Sequence, residues 1–256
     1  MKVVILAGGK GSRLAEETTL RPKPMVEIGG RPILWHIMKI YSAYGLNEFI
    51  VCCGYKGYLI KEYFCNYSMY MSDVSIDFHR NSIEFINNTS EPWKVTLIDT
   101  GESTQTGGRL KRVRSYLEDE SFCFTYGDGV SDIDISDLVK FHKAQGKLAT
   151  LAAVRPSGRF GILGIENDKV SSFKEKFIDG EGWVNGGFYV LEPSIFDYIQ
   201  GDDTVWEHYP VEELSRGGHL GAYKHYGMWE AMDTIRDKEH LQSLWEQGAF
   251  KWLKSE

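Results

Sequence analysis

An apolar strand that runs directly into a glycine-rich, basic loop is the feature that most constrains the fold of this sequence. The residues from Val3 to Ala7 are apolar, and three of the next six residues, Gly8 to Arg13, are glycines. Glycines let the backbone approach a ligand closely and turn several N–H groups into one concavity, and Lys10 and Arg13 add positive charge there. The loop therefore predicts a polyphosphate site at the carboxyl end of the first strand.

A second basic segment follows the loop within a short stretch of chain. It reads Arg21-Pro22-Lys23-Pro24, and its two prolines restrict the backbone on both sides of the lysine. A lysine held in this way can hold a phosphate as a point charge. We therefore expect two loops to form a single anion site.

Two other uses of a glycine-rich loop are less compatible with these residues. A dinucleotide site needs a third glycine that is missing here, and it favours an acidic residue at the end of the second strand, where Val51 to Gly54 supply none. A Walker A loop needs the pattern GxxxxGK[ST], which does not follow the first strand. The plainest alternative, a flexible loop with solvated lysines, does not account for the strand that precedes it.

Composition limits the class of partner. The formal net charge is -7 and the basic residues are scattered, which argues against nucleic acid as a partner and leaves small anionic ligands open. No stretch approaches the roughly 20 apolar residues of a membrane span, and no signal peptide is readable. The four cysteines form no metal-binding or redox pattern, so we expect free thiols and a cytoplasmic protein.

Strand and helix patterns alternate through the first half of the chain, as in βαβ units around a mostly parallel sheet. The patterns predict strands at Glu48–Cys53 and Phe122–Tyr126 and a helix over Pro32–Tyr44. Between Val74 and Asp99 shorter alternating pieces indicate antiparallel strands or a hairpin. The length of 256 residues and the lack of a clean linker predict one domain over residues 1–256.

Two acidic residues are candidates for a metal site. Asp128 stands between two glycines directly after the buried strand Phe122–Tyr126, where open α/β sheets bind ligands. Asp233 precedes the closing helix, and each residue could also be a simple turn or cap residue. Together they offer the oxygen ligands that Mg²⁺ takes, one or two carboxylates beside substrate phosphates. Their distance in the sequence leaves this pairing open.

Polar residues in the second half suggest a sugar-phosphate site. Lys176, preceded by Glu175, could hold a phosphate, and Asn185 before Gly186 could hydrogen-bond sugar hydroxyls. An exposed edge lysine and a β-bulge are the alternatives, and the residues alone favour them.

The motifs LAGGKGSRL, RPKPMVEIGGRPILWHI, TGGRLKR, YGDG, VNGGFYVL and WEAMDT resemble the sugar-1-phosphate nucleotidyltransferases, over residues 1 to about 250. The second, third and fourth motifs are similar to the cytidylyl branch. Phe177 departs from the family pattern, in which proline commonly follows the Glu-Lys pair. The resemblance implies a Rossmann-like α/β fold with a mixed, mostly parallel sheet flanked by helices and a small β-rich extension.

The resemblance also implies an activity and its residues. The expected reaction joins CTP and α-D-glucose 1-phosphate into CDP-glucose and pyrophosphate, with Mg²⁺ as cofactor, and such products usually feed bacterial surface polysaccharides such as O-antigen. The residues implied for CTP are Leu6, Ala7, Gly8, Gly9, Gly11, Ser12, Arg13, Lys23, Thr104, Arg109 and Asp128, with Arg13 and Lys23 catalytic. Those implied for the sugar phosphate are Tyr126, Glu175, Lys176, Asn185 and Gly186, and those for the metal are Asp128 and Asp233.

The family commonly forms higher oligomers, so the resemblance implies a homo-oligomer, expected to be a hexamer. Two alternative functions stay open: an enzyme of the same fold that uses UTP or dTTP, and a catalytically silent nucleotide-sensing subunit. A silent subunit would have no chemical need for Arg13, Lys23, Asp128, Lys176 and Asp233 together.

Overall fold

The computed structural model describes residues 1–155 and 182–253, and the backbone of two strands between them. The strands of the first half are β1 (Val3–Ala7), β2 (Glu27–Ile28), β3 (Arg31–Pro32), β4 (Glu48–Cys53), β5 (Asp73–Asp77), β6 (Ser82–Ile86), β7 (Lys94–Asp99), β8 (Phe122–Tyr126) and β9 (Gly129–Ser131). Those of the second half are β10 (Ala149–Val154), β11 (Ile162–Glu166), β12 (Lys169–Lys174), β13 (Val184–Leu191), β14 (Leu220–Lys224) and β15 (Trp229–Ala231). The helices are α1 (Ala15–Thr18), α2 (Ile33–Ser42), α3 (Gly57–Cys65), α4 (Tyr67–Tyr70), α5 (Thr106–Arg112), α6 (Ile135–Gln145), α7 (Tyr209–Arg216) and α8 (Ile235–Glu246).

A seven-stranded sheet in the order β14-β10-β13-β8-β1-β4-β7 forms the centre of the described structure. β8, β1, β4 and β7 run parallel, β10 and β14 share their direction, and β13 runs against β8 and β10. The expected mixed, mostly parallel sheet is therefore confirmed. The carboxyl ends of β1 and β8, which the glycine-rich loop and Asp128 follow, lie side by side.

The two faces of this sheet pack against different layers of helices. Alternate residues of β1 point to opposite faces, so Val3 and Ile5 join a core that α2, α6 and α8 cover. Val4 and Leu6 join a second core that includes residues of α5 and α7. All five residues of β1 are buried. The strand that leads into the glycine-rich loop is thus held from both sides, and this fixes where the loop begins.

The segment Val74–Asp99 contains one hairpin and one strand of the main sheet. β5 and β6 pair antiparallel as expected, but the expectation of antiparallel pairing is wrong for β7, which runs parallel to β4 at the sheet edge. Alternating polarity reports a half-buried strand and not its direction. The chain between β4 and β7 carries two helices and the hairpin, which is long enough for the crossover that a parallel pair needs.

The beginning of α8 differs from the simplest expectation for Asp233. Thr234 caps this helix, and its hydroxyl accepts the Asp237 N–H while the Asp237 side chain accepts the Thr234 N–H. The interpretation of Asp233 as the helix cap is therefore wrong. Its carboxylate is not used by the helix and faces the carboxyl ends of β1 and β8 instead.

The cysteines and the histidine of α2 have the structural roles expected for them. All four cysteines are free, and Cys52, Cys53 and Cys123 are buried. His36 is fully buried, donates from Nε2 to the Ile28 carbonyl oxygen at 2.9 Å and accepts from the Trp252 indole at 3.3 Å. Over residues 1–155 and 182–253, we find no helix with the length and apolar character required to span a membrane.

Candidate active site

A cleft of about 630 Å³ opens at the carboxyl ends of β1 and β8, and the glycine-rich loop forms one of its walls. The segment from Glu102 to Thr106, between β7 and α5, also lines it. The structure brings most of the sequence-predicted site residues to this one place. They are Leu6, Ala7, Gly8, Gly9, Gly11, Ser12, Arg13, Lys23, Thr104, Arg109, Tyr126, Asp128 and Asp233.

The glycine-rich loop owes its path to two of its glycines. Gly11 has a positive φ of 62° and begins the single turn Ser12–Leu14, a conformation that glycine adopts without strain. A Cβ on Gly8 would lie 2.1 Å from Nη1 of Arg109, so only glycine fits between the loop and that side chain. Gly9, in contrast, has open space around it.

Lys23 lies at the base of the cleft between two carboxylates. Its ammonium donates to Asp128 Oδ2 at 2.6 Å and to Asp233 Oδ1 at 2.7 Å, and Arg13 Nη1 lies 3.0 Å from Asp233 Oδ2. Burial alone would lower the pKa of Lys23, but the charges of Asp128 and Asp233 and their hydrogen bonds outweigh it and hold the pKa above its usual value. The lysine is therefore charged, and it already occupies a position that selects for cations.

The two carboxylates meet because two short strands pair behind them. β9 starts directly after Asp128 and runs antiparallel to β15, with Gly129 opposite Ala231. The Met232 N–H donates to the Asp128 carbonyl oxygen at 2.9 Å, which places Asp233 beside Asp128. This pairing is what unites residues from distant parts of the sequence.

The donor set of this cluster fits a divalent cation. Mg²⁺ prefers carboxylate oxygens and takes only one or two of them from the protein when substrate phosphates complete its coordination. A cluster of three or more histidine, cysteine or acidic side chains does not occur among the residues that the structure describes. Asp128 and Asp233 could hold such an ion, and the Lys23 ammonium now lies between them.

Arg109, expected at the nucleotide, ties together the ends of three strands. Its guanidinium donates to the carbonyl oxygens of Gly8, Cys53, Gly101 and Glu102 and to the Thr100 hydroxyl, at 2.7 to 3.3 Å. These acceptors follow or end β1, β4 and β7. The side chain is 4% exposed, and burial lowers the pKa of its guanidinium from the usual value. Its contact with nucleotide stays a prediction, and the clamp on the strand ends is what the structure adds.

The other basic residues of α5 contact protein groups and not the cleft. Lys111 donates to the carbonyl oxygens of Ile199 and Gln200, and Arg112 forms an ion pair with Asp202. The amide N–H groups at the start of α5 donate to carbonyl oxygens of the same neighbouring loop. The basic run of this helix therefore fastens α5 to its neighbour.

The residues predicted for the sugar phosphate are distributed differently. Tyr126 lines the cleft, whereas Asn185 and Gly186 stand at the start of β13, outside the lining. The Asn185 amide donates to the Tyr189 hydroxyl at 2.5 Å and accepts from the Gly187 N–H at 2.9 Å. Glu175 and Lys176, and with them Phe177, lie outside the described residues.

One acidic residue at the site was not expected from the sequence. Glu207 follows Trp206 ahead of α7 and accepts hydrogen bonds from the hydroxyls of Tyr126 and Thr106, at 2.5 and 2.6 Å. Nothing in its sequence neighbourhood signals this, because Trp206-Glu207 belongs to no recognisable motif. Only the folding of a remote loop onto α5 brings this carboxylate behind Thr106 and Tyr126, which line the cleft.

The chain is similar to known proteins in both sequence and structure. Residues 2–215 match the family model described as Nucleotidyl transferase. The chain is 57% identical over 253 residues to the glucose-1-phosphate cytidylyltransferase of Salmonella typhi, covering 98% of each chain. It is 42% identical to a probable glucose-1-phosphate cytidylyltransferase of Bacillus subtilis, over 98% of this chain and 99% of the relative. A crystal structure of HddC from Yersinia pseudotuberculosis superposes with a TM-score of 0.70 at 26% identity, covering 95% of this chain and 99% of that one.

Proposed function

The chain belongs to the nucleotidyl transferase family and within it to the glucose-1-phosphate cytidylyltransferases, and we propose that its cleft joins CTP and α-D-glucose 1-phosphate. The products are CDP-glucose and pyrophosphate. A phosphate oxygen of the sugar phosphate attacks the α-phosphorus of CTP, an O–P bond to it forms, and the bond to the departing pyrophosphate breaks. The attacking oxygen is already anionic, so no general base is required.

The observation that carries this proposal is the placement of Lys23 between Asp128 and Asp233, with Arg13 beside them and the glycine-rich loop above. The obstacle to the reaction is the repulsion between two polyanions. A protein overcomes it by holding both in line and by neutralising their charge, as in other phosphoryl-type transfers. In this cluster Lys23 and Arg13 supply positive charge for the phosphates, and Asp128 and Asp233 supply negative charge that can hold a cation.

Each charged residue then has a task in the proposed reaction. Lys23 neutralises the α-phosphate, and Arg13 stabilises the departing pyrophosphate. Lys176, outside the described residues, holds the attacking phosphate in our proposal. Asp128 and Asp233 would hold Mg²⁺, which when bound would supply charge neutralisation to the phosphates.

In this proposal Lys23 exchanges one set of partners for another. In the structure its ammonium is held by the two carboxylates, at 2.6 and 2.7 Å. With Asp128 and Asp233 holding a divalent cation, Lys23 would release the two carboxylates and would donate to a phosphate oxygen instead. The exchange keeps a charge balance in the cleft at every stage, which avoids leaving Asp128 beside Asp233 without a cation.

The remaining predicted residues divide between the two substrates. We assign the nucleotide to the glycine-rich loop, with Leu6, Ala7, Gly8, Gly9, Gly11 and Ser12, and to Thr104 across the cleft. Arg109 contributes by shaping the strand ends on which the nucleotide lies. Tyr126, Asn185 and Gly186, with Glu175 as well as Lys176, are assigned to the sugar phosphate.

We also propose that copies of this chain assemble with one another. The face of the β5–β6 hairpin formed by Val74, Ile76, Ile83 and Phe85 is apolar, and Ile76 and Ile83, which lie opposite each other, are 50% and 55% exposed. A two-stranded sheet is marginally stable unless something covers such a face. A second copy of the chain is the cover we propose.

The free cysteines agree with a reducing cytoplasm as the place of action.

A product analysis tests the proposed reaction. Purified protein is incubated with Mg²⁺, glucose 1-phosphate and each of CTP, UTP, dTTP and GTP, and the nucleotide sugars are resolved by mass. We expect CDP-glucose and an equal amount of pyrophosphate. A preference for UTP or dTTP would reassign the nucleotide, and CTP binding without any product would indicate a silent subunit.

A further inference from the structure

A single carboxylate outside the motifs connects two hydroxyls of the cleft wall. Glu207 Oε1 accepts from the Tyr126 phenol at 2.5 Å, and Oε2 accepts from the Thr106 hydroxyl at 2.6 Å. Thr106 and Tyr126 both line the cleft, whereas Glu207 is only partly buried behind them. Tyr126 ends β8, two residues before Asp128. The carboxylate therefore acts on the strand end that carries a residue of the proposed metal pair.

The backbone behind Glu207 fixes its orientation. The Trp206 N–H donates to the Thr106 hydroxyl at 2.9 Å, and this leaves the single proton of that hydroxyl for Glu207. One carboxylate oxygen is thus held by Thr106, so the other is presented to Tyr126. Hydrogen bonds to a charged acceptor are stronger than neutral ones, which suits a group that must hold an aromatic ring at one angle.

The direction of the hydrogen bond to Tyr126 follows from charge. The Tyr126 hydroxyl lies 2.5 Å from Glu207 Oε1, with its proton as the only one available for this bond. An ionised carboxylate can only accept. Tyr126 therefore donates to Glu207 and offers lone pairs to every other neighbour.

The contact continues to the residues predicted for the sugar. The Tyr189 ring lies edge-on to the Tyr126 ring, with the ring centroids 6.5 Å apart, and the Asn185 amide nitrogen donates to the Tyr189 hydroxyl at 2.5 Å. The Asn185 oxygen accepts from the Gly187 N–H. At Gly187, where φ is 78°, a Cβ would lie 2.6 Å from the Tyr126 ring, so the ring lies directly on β13. Glu207, Tyr126, Tyr189 and Asn185 therefore form one continuous wall of hydrogen bonds and ring contacts.

We propose that Glu207 is a positioning residue for the sugar-phosphate end of the cleft, which it orders by holding Tyr126 and, through Tyr189, Asn185. The proposal rests on the proposed function, because it gives Tyr126 and Asn185 a substrate to face. Glu207 does not itself touch the substrate. Its loss disturbs the binding of glucose 1-phosphate more than the binding of CTP.

The test compares steady-state kinetics of the full chain with Glu207→Gln, Tyr126→Phe and the double variant. A glutamine keeps the volume but presents a donor to one of the two hydroxyls, and phenylalanine removes the phenol and leaves Glu207 in place. Glu213→Gln, in α7 and paired with the exposed Arg216, is the matched control for loss of a glutamate charge from this region. Melting temperatures are recorded for all variants.

We expect the KM for glucose 1-phosphate to rise about tenfold in Glu207→Gln, the size expected for loss of one charge-assisted hydrogen bond. The KM for CTP and kcat should change by less than about threefold, and the control should behave as the wild type. Tyr126→Phe should give a similar rise, and the double variant no more than the larger single effect, because both remove the same contact.

Three results would overturn the proposal: a lower melting temperature with both KM values unchanged, equal rises in both KM values, or additive effects in the double variant. If Glu207→Gln does not fold, Tyr126→Phe alone decides, since an unchanged KM for glucose 1-phosphate contradicts the role of the contact. Failure of the wild type to form CDP-glucose would instead contradict the proposed function.

Discussion

The cleft and the β5–β6 hairpin depart from the usual distribution of residues in opposite ways. The cleft buries charge: Lys23 is 9% exposed and contacts two carboxylates. The hairpin exposes hydrocarbon: Phe78, at its turn, is 89% exposed, and Ile76 and Ile83 are about half exposed. Folded domains normally do neither. Burying a charge costs free energy, and exposing an apolar face gives up the free energy that burial of that face would contribute.

We infer that each region serves a partner, the cleft its anionic substrates and the hairpin a second copy of the chain. In the cleft the opposite charges of Lys23, Asp128 and Asp233 neutralise one another. The hairpin cannot compensate in this way, because a two-stranded sheet cannot bury its own apolar face by rearranging. We therefore expect substitutions in the cleft to change chemistry at constant assembly, and those in the hairpin to change assembly first.

The largest effect is expected for Lys23→Met, which removes the charge that the proposed mechanism places at the α-phosphate. Turnover should fall on the order of 10²–10³-fold, as for loss of other transition-state charge contacts. Pyrophosphate release measures it. Lys143→Met is the control, because Lys143 is an exposed lysine of α6, outside the cleft lining. Turnover of Lys23→Met near that of the wild type would remove Lys23 from the mechanism.

The hairpin side of the comparison is tested by charge placed on either face. Ile76→Lys puts an ammonium on the apolar face and should dissociate the assembly, at a cost of about 2 kcal/mol per copy for the lost burial. Ser75→Lys puts the same charge on the opposite face, where Glu84 is the cross-strand partner, and should leave the mass unchanged. Light scattering gives the mass, and a monomeric wild type would contradict the proposed assembly.

A pair of glycine substitutions separates close packing from loop flexibility. Gly8→Ala places a methyl group 2.1 Å from Arg109 Nη1, so the guanidinium must leave the strand ends it holds, and we expect a loss of about 2 kcal/mol in the free energy of unfolding. Gly9→Ala meets nothing within 4 Å and serves as its control. Urea denaturation measures both. Equal stability of the two variants would show that the Arg109 clamp is unimportant.

The last effect, which appears only on acidification, concerns a buried polar group that carries no charge at neutral pH, in contrast to Lys23. Burial lowers the pKa of His36 to about 4, against about 6.5 in an unfolded chain. The unfolded state binds the proton first on acidification, so this contribution is fully present above pH 6.5 and is lost as the pH falls toward 4. Between pH 7 and pH 5 the loss is about 2 kcal/mol.

Urea denaturation at the two pH values measures this loss, with His36→Gln for comparison. Glutamine keeps a donor and an acceptor but does not titrate in this range. We expect the wild type to lose more stability than the variant on acidification. Parallel losses in the two proteins would mean that the imidazole is protonated in the folded state.

Local sequence patterns predicted the bounds of those strands whose burial follows the same pattern. The strands Glu48–Cys53 and Phe122–Tyr126 have the predicted bounds, because a strand buried on both faces is a continuous apolar run between turn residues. The direction of β7 was not predictable in this way. Direction depends on the connection that precedes a strand and not on the residues within it.

The motifs named most of the residues that line the cleft, but not the contacts between them. Motif resemblance brought Asp128 and Asp233 together, whereas their proximity depends on the pairing of β9 with β15, strands of three residues each. Such short strands carry too little pattern to predict a partner. The position of Glu207 depends on a loop that packs against α5, and no sequence pattern predicts that contact. The clamp of Arg109 is equally hidden, because its acceptors are backbone oxygens, which carry no sequence signal.

The central claim, that Lys23 holds the place of a divalent cation between Asp128 and Asp233, is tested most directly by metal binding without nucleotide. Free Mn²⁺ is measured by electron paramagnetic resonance during titration of the wild type, Lys23→Met and Lys143→Met. Removal of the competing ammonium should tighten Mn²⁺ binding about tenfold or more in Lys23→Met and leave Lys143→Met like the wild type. Unchanged or weaker Mn²⁺ binding in Lys23→Met would contradict the account.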